Sequence, residues 1–311
     1  MTIPDRKRGC MYGLAVGDAL GAQVEFQRPG SFERVAGFRG GGPHGLKPGE
    51  WTDETSMALA LADSIVLSGW DCEDQMRRYL DWWRNGSYST RGHCFDISST
   101  LSSTLYEFEV HGDIRQAHLA SERSTNNGSV SRLAPVVVHF HHDPIDVPLL
   151  SERASDSSRT THSHHECVSA CRYCAVLMAG LISGEDRDTV LSADWEPVQE
   201  LRETAPLHRN VELVIGGSYR VLRPPEIQAS GYAAKCLEAA LWAFHDAQSF
   251  SEAVLKSVNL GYDADNVGAI CGQIAGAAFG CSGIPGDWME QLKGRPLIEK
   301  SFPTLLTAAP S

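Results

Sequence analysis

The chain has 311 residues, 42% of them hydrophobic, and a formal net charge of −12. Length and apolar content suffice for a sizeable buried core. The acidic balance excludes charge-driven binding to nucleic acid or to an anionic membrane, so neither is expected as a partner. It leaves room for a phosphate-bearing small molecule, because local backbone N–H groups bind phosphate whatever the net charge.

The N-terminal residues lack the apolar run of a secretory signal. Residues 10–23 have helical spacing, with Gly13, Gly17 and Gly21 recurring every fourth residue and Glu25 just beyond. Asp18 on this helix is expected to cap or orient a neighbour. Residues 28–50, rich in glycine and proline, predict a surface loop. Thr52, Asp53 and Glu54 stand directly before the apolar run 55–68, a helix start carrying adjacent acids. Helices are expected over 72–84, 95–108 and 113–122. The turn signal Asn126-Asn127-Gly128 predicts a helix over 129–140. Residues 143–161 are polar and loop-like, 166–183 a long apolar helix, and 187–204 an amphipathic one. Residues 207–227 predict irregular structure, with 217–222 the best strand candidate. Helices over 229–245 and 251–260 precede the stretch Gly261–Gly280, and residues 288–301 close the chain.

Within that stretch Gly268, Gly272, Gly276 and Gly280 form one helix stripe. Glycine costs a helix about 1 kcal/mol against alanine, so four on one stripe predict close approach of another backbone. Residues 267–284 fall short of the ~20 apolar residues of a membrane span and read as a core helix. Nearly all periodicity is helical, with no composition shift or internal repeat. The expectation is a single all-α domain over 1–311, a compact multi-helix orthogonal bundle, present as a monomer. The nine cysteines are scattered, without paired CxxC motifs. They read as reduced, buried thiols of a cytoplasmic protein rather than a zinc site.

Asp263 and Asp265 open the glycine helix, followed by Asn266. If this acidic helix start and the one at Thr52–Glu54 meet in the fold, four carboxylates converge with no lysine or arginine in either motif. Such a cluster calls for a hard divalent cation with oxygen ligands.

The stretches GDALG with Glu25, TDE at 52–54 and DADN at 263–266 resemble the ADP-ribosylglycohydrolase family. GHCFDIS at 92–98, NGSVSRLAP at 127–135, THSHHE at 161–166 and the helix at 230–244 follow in the family's order, so the resemblance covers nearly the whole chain. It implies hydrolysis of the glycosidic bond between ADP-ribose and a modified protein side chain, with arginine favoured. It implies Thr52, Asp53, Glu54, Asp263, Asp265 and Asn266 as ligands of two ions, Mg²⁺ expected and Mn²⁺ or Ca²⁺ able to substitute. It makes Glu25, Asp53, Glu54 and Asp265 the catalytic acids. Asp96, Asn127, Gly128, Ser129, His162 and Tyr232 become candidate substrate contacts: the backbone opening at Ser129 for the diphosphate, and Tyr232 for stacking on adenine or the distal ribose. The bland alternatives are helix caps for Asp96 and for Asn127–Ser129, a solvated histidine loop for His162, and a core tyrosine for Tyr232.

Two positions depart from the family pattern. Glu54 is one methylene longer than the usual aspartate, and Asn266 replaces a threonine; both still offer oxygen ligands. They motivate two rival readings: an ADP-ribose-binding protein of weak or no activity, such as an immunity protein against a toxin, and a hydrolase of a small ADP-ribosyl metabolite.

Overall fold

The computed structural model describes residues 1–307 and is helical throughout, with two isolated bridges and no strand among the described residues. In chain order the helices are α1 (Ile3–Gly21), α2 (Asp53–Ser68), α3 (Cys72–Asn85), α4 (Ser99–His111), α5 (Ile114–Ser121), α6 (Ala134–Phe140), α7 (Val147–Arg159), α8 (His165–Ser183), α9 (Arg187–Val190), α10 (Glu196–Thr204), α11 (Arg209–Ile215), α12 (Ser218–Val221), α13 (Ala233–Phe244), α14 (Phe250–Val258), α15 (Ala264–Phe279), α16 (Gly286–Gln291) and α17 (Arg295–Thr307). The all-α expectation therefore holds.

The centre is the antiparallel pair α1 and α15. A Cβ placed on Gly13 would lie 2.2 Å from the carbonyl oxygen of Gly272, one on Gly17 2.0 Å from that of Gly268, and one on Gly21 2.1 Å from that of Ala264. In the reverse direction Gly272 faces Gly13 at 2.0 Å and Gly276 faces Gly9 at 1.9 Å. Only hydrogen fits at these positions, so the two stripes are read by each other. Gly280 instead ends α15 with φ 71°. Because the pairing is antiparallel, the C-terminal end of α1 lies beside the N-terminal end of α15. That register brings Glu25 to Asp263 and Asp265.

Asp18, one turn before Gly21, anchors the third element. Its carboxylate accepts from the N–H groups of Thr52 (2.9 Å) and Thr55 (3.0 Å) and from both their hydroxyls. These bonds satisfy donors at the start of α2, which no helical carbonyl can reach. The expectation that Asp18 orients a neighbour is met, and the acids of 52–54 are carried to the same end of the α1–α15 pair.

Several boundaries differ from the sequence expectation. The helix expected from Ser129 begins only at Ala134: Gln273 takes the carbonyl of Val130 at 2.8 Å, and Pro135 has no N–H to continue the ladder backward. The loop expected over 143–161 contains α7, whose apolar Val147, Leu150 and Ala154 are spaced among buried serines and whose start is capped by Asp146. The strand candidate at 217–222 is one helical turn, α12, and the irregular stretch around it also holds α11. Residues 187–204 divide into α9 and α10. Helix α8 is long and apolar enough to cross a bilayer, but 94% of that window is buried inside the fold. All nine cysteines are free.

Candidate active site and metal centre

A cavity of about 260 Å³ opens where α1, α2 and α15 converge. Glu25, Asp53, Glu54, Asp96, Asp263 and Asp265 line one part of it, and Asn126, Asn127, Gly128, Arg132 and His162 line another. Backbone strain marks its rim. Among the described residues four non-glycine residues have left-handed φ, and Phe26 (59°), Asp96 (60°) and Tyr262 (51°) are three of them. Phe26 and Tyr262 face each other: the N–H of Phe26 donates to the Tyr262 carbonyl at 2.6 Å, and the N–H of Tyr262 to that of Gln27 at 2.7 Å. This clasp fixes Glu25 beside Asp263, so the strained conformations serve the geometry of the acids.

Among the described residues no lysine or arginine pairs with these acids; the basic side chain in contact is His44. Ligand oxygens of Asp53, Asp96 and Asp265 lie within 4.8 Å of one another. The Thr52 hydroxyl has one proton but faces three carboxylate oxygens, of Asp18 (2.7 Å), Glu54 (2.8 Å) and Asp265 (3.4 Å). Buried oxygens of Glu25, Asp96, Asp265 and Asn266 have no hydrogen-bond partner. Burial first, and neighbouring carboxylates second, push the carboxyls of Glu25, Asp53 and Asp265 far above the carboxylate range. Burial and Asp18 raise Glu54. Burial raises Asp263 too, against the Asn127 amide, which donates to its carboxylate and holds it down. Unpartnered, buried, all-oxygen donors that resist ionisation together are what a hard divalent cation would relieve. The residues fit such a group.

The sequence reading left three residues here out of the site: Asn126, read only as part of a turn, His44 and Arg132. His44, from the loop after α1, places Nε2 3.4 Å from Glu25 and 3.2 Å from Asp96. Arg91 holds that loop through the carbonyls of His44 and Gly45 and the carboxylate of Glu50. Arg132, fully buried, has no carboxylate partner among the described residues. A histidine in a glycine-rich loop and an arginine in a short apolar run carry no spacing signal that points to a site.

Asn127, Gly128 and His162 lie in the cavity wall, but Ser129 does not. It is buried, shares a hydrogen bond with Ser158 (3.0 Å) and accepts from the Cys171 thiol, and no helix starts there to offer its N–H groups. Its side chain is thus engaged inside the fold, away from the cavity lining. Tyr232 is 62% exposed, not a core residue, and lies outside the acidic cavity. It lines an open polar groove of about 740 Å³ with Ser99, Thr100, Ser103 and Arg123, and that groove meets the acidic cavity at Asn126.

Comparison with known proteins agrees with this geometry. The family model described as ADP-ribosylglycohydrolase matches residues 1–309. The chain is 36% identical over 308 residues to an ADP-ribosylarginine hydrolase of Serratia proteamaculans, covering 98% of this chain and 80% of that protein. It is 28% identical over 296 residues to the ADP-ribosyl-[dinitrogen reductase] glycohydrolase of Rhodospirillum rubrum, covering 94% and 91%. A solved structure titled ADP-ribosylglycohydrolase-related protein complex superposes with a TM-score of 0.84 at 38% identity, covering 98% of both chains. Glycine-seamed helices, two acidic helix starts at one end of the seam and a match along almost every residue make this chain a member of the ADP-ribosylglycohydrolase family, a family of glycosidic-bond hydrolases.

Proposed function

We propose that this protein removes ADP-ribose from a modified arginine side chain, using divalent cations held by Thr52, Asp53, Glu54, Asp263, Asp265 and Asn266. The observation that carries the proposal is the set of buried carboxylates that no lysine or arginine pairs with among the described residues, joined at Asn126 to a groove of about 740 Å³. Similarity to ADP-ribosylarginine hydrolases supports arginine as the linkage.

Bound there, the ions, with Mg²⁺ the first expectation, would neutralise the acids and offer coordination to the ribose hydroxyls. The chain's own residues supply the rest. Asp18 fixes Thr52 and the start of α2, so the ligand oxygens are placed before any ion arrives. Glycosidic cleavage passes through an oxocarbenium-like state, which the surrounding carboxylates stabilise by charge. It also needs one group to take a proton from water and one to give a proton to the departing nitrogen. Glu25 Oε2 and Asp96 Oδ2 are buried and unpartnered, and these two oxygens handle the protons, with His44 in contact with both side chains. Free thiols throughout support a reducing, cytoplasmic setting.

The test is release of ADP-ribose from an arginine-modified protein, and from serine- and phosphate-linked counterparts, after chelation and after return of Mg²⁺, Mn²⁺ or Ca²⁺. Arginine-linked release that needs a divalent ion is the expected result. Tight ADP-ribose binding without release from any linkage would support the binding-protein reading, which Glu54 and Asn266 motivate. Release from free ADP-ribosyl compounds alone would support the metabolite reading.

A further inference from the structure

We infer that Asn126 is the side chain that meets the substrate's diphosphate, and that Arg132, Thr161 and His162 form a one-way chain of hydrogen bonds holding its amide in the binding sense. The inference rests on the reading of the cavity as an ADP-ribose site.

The chain of bonds begins at a fixed charge. Arg132 is fully buried, its guanidinium lies 4.8 Å over the Tyr79 ring, and no carboxylate among the described residues pairs with it. Its Nη2 donates to the Thr161 hydroxyl at 2.6 Å. Arginine is only ever a donor, so Thr161 Oγ1 accepts there and sends its own proton onward. The partner within reach is His162 Nδ1, at 2.7 Å. Nδ1 accepts that proton and the ring proton sits on Nε2, because the atom facing Nε2 accepts from the main-chain N–H of Gly128 and is itself an acceptor. Nε2–H then donates to Asn126 Oδ1 at 3.0 Å, and the main-chain N–H of Gly128 donates to the same atom at 3.1 Å. Two donors on one atom identify it as the amide oxygen. Burial, with Arg132 adding to it, holds His162 well below its ordinary pKa, so the ring is neutral and has one proton to place.

Gly128 closes the arrangement. A Cβ there would sit 3.2 Å from His162 Cε1 and 3.3 Å from Asn126 Oδ1, so the pair would have to give by a few tenths of an ångström to admit it.

With Oδ1 engaged on the inside, Asn126 Nδ2 is left to face the opening. It has no hydrogen-bond partner among the described residues, and Asn126 is the residue that lines both the acidic cavity and the polar groove. An ADP-ribose with its reacting ribose among the acids and its adenosine in the groove has its diphosphate at this junction. An amide N–H there gives the anion a donor without bringing in a group that the acids would attract. His162 is 1% exposed, so it acts through Asn126 as a positioning residue.

Asn126→Asp keeps the shape and replaces the outward donor with an oxygen. Measured by calorimetry on the full chain, Kd for ADP-ribose should rise about ten-fold or more, and KM should rise by more than kcat falls. If that variant does not fold, Asn126→Ala gives the same reading. Thr161→Val removes the link at nearly constant volume. It should turn the ¹⁵N signature of His162 in the ligand-free protein from pure Nε2–H to a mixture of tautomers, and weaken ADP-ribose binding several-fold. A wild-type His162 carrying its proton on Nδ1 overturns the inference. So does wild-type ADP-ribose binding that Asn126→Asp leaves unchanged. Wild type that binds no ADP-ribose overturns this inference and the functional reading together.

Discussion

The seam between α1 and α15 and the cavity at its end are built by the same two helices, yet they follow opposite rules. Along the seam the tightest contacts are backbone on backbone, Gly13 against Gly272 and Gly17 against Gly268, with the distances set by the absence of side chains. At its end the contacts are side chain on side chain, and the groups repel: Asp53, Asp96 and Asp265 are crowded together with no lysine or arginine among the described residues to pair with them. The seam is finished as it stands. The cavity is stable only because the seam, the Asp18 bonds to α2 and the Phe26–Tyr262 clasp hold it from outside. The difference teaches where stability and function part. A change in the seam should cost the fold, whereas a change among the acids should cost function and could relieve the fold.

The largest effect should come from the seam. In Gly272→Leu the first added atom would already lie 2.0 Å from the Gly13 carbonyl oxygen. The helices must separate, and overpacking of a tight contact costs at least about 1–3 kcal/mol. We expect loss of the cooperative thermal transition, read by circular dichroism. An unchanged melting temperature would mean that this stripe does not carry the pairing.

Next comes Asp265→Asn, which should act with opposite signs on the two properties. Asp265 is buried and pushed up by its neighbours, so removing its charge should raise the melting temperature of the metal-free protein. Activity and the stabilisation by added divalent ion should both disappear. A variant that still hydrolyses substrate, or is still stabilised by Mg²⁺, would remove Asp265 from the metal centre.

The pH dependence sharpens the same contrast. Glu54 is raised to about 8 and Asp263 to about 6 in the folded chain, above the ~4 of an exposed carboxyl. The folded state therefore binds more protons than the unfolded state between these values, and stability falls as pH rises through that window. Without metal, the melting temperature should decline from pH 5 to pH 8, and saturating Mg²⁺ should flatten the decline. In Asp265→Asn the decline should be shallower even without metal. A flat metal-free profile would show that burial and neighbouring carboxylates do not raise these acids in the fold.

The sequence carries the seam and the two acidic helix starts well, for a physical reason: glycines four apart and carboxylates at a helix start are local patterns. Asp18 was legible as an orienting residue on the same grounds. What stayed hidden depends on contacts distant along the chain. His44 reaches Glu25 and Asp96 only because Arg91 pins its loop. Asn126 becomes a binding group only because His162, 36 residues away, turns its amide. The helix expected at Ser129 failed because Gln273 in α15 claims a carbonyl that a local reading assigns to the helix ladder. Helix α7 was overlooked because its buried positions are filled largely by serine, such as Ser155 and Ser158, which bond carbonyls in the interior instead of showing an apolar stripe.

The smallest and most discriminating change is at Glu54, where the acidic cluster departs from its family pattern. Its carboxylate accepts from the Thr52 hydroxyl at 2.8 Å, in competition with Asp18 at 2.7 Å. Glu54→Gln keeps the shape and an oxygen for Thr52 but removes one charge from the metal ligands. It should weaken the divalent-ion shift in melting temperature and lower kcat/KM, and the loss measures transition-state stabilisation. Glu54→Asp keeps the charge and withdraws it by about 1.5 Å, one C–C bond. Because a hard cation with oxygen ligands tolerates small changes in ligand reach, this variant should still be stabilised by divalent ion, with kcat/KM moved within about ten-fold in either direction. A seam made of hydrogen-only contacts could not absorb a displacement of that size. If Glu54→Gln leaves both turnover and the metal shift untouched, Glu54 is no ligand, and the cluster closes around Asp53, Asp263 and Asp265 alone. If wild type is silent and Glu54→Asp gains turnover, the extra methylene is what separates a binder from a hydrolase in this chain.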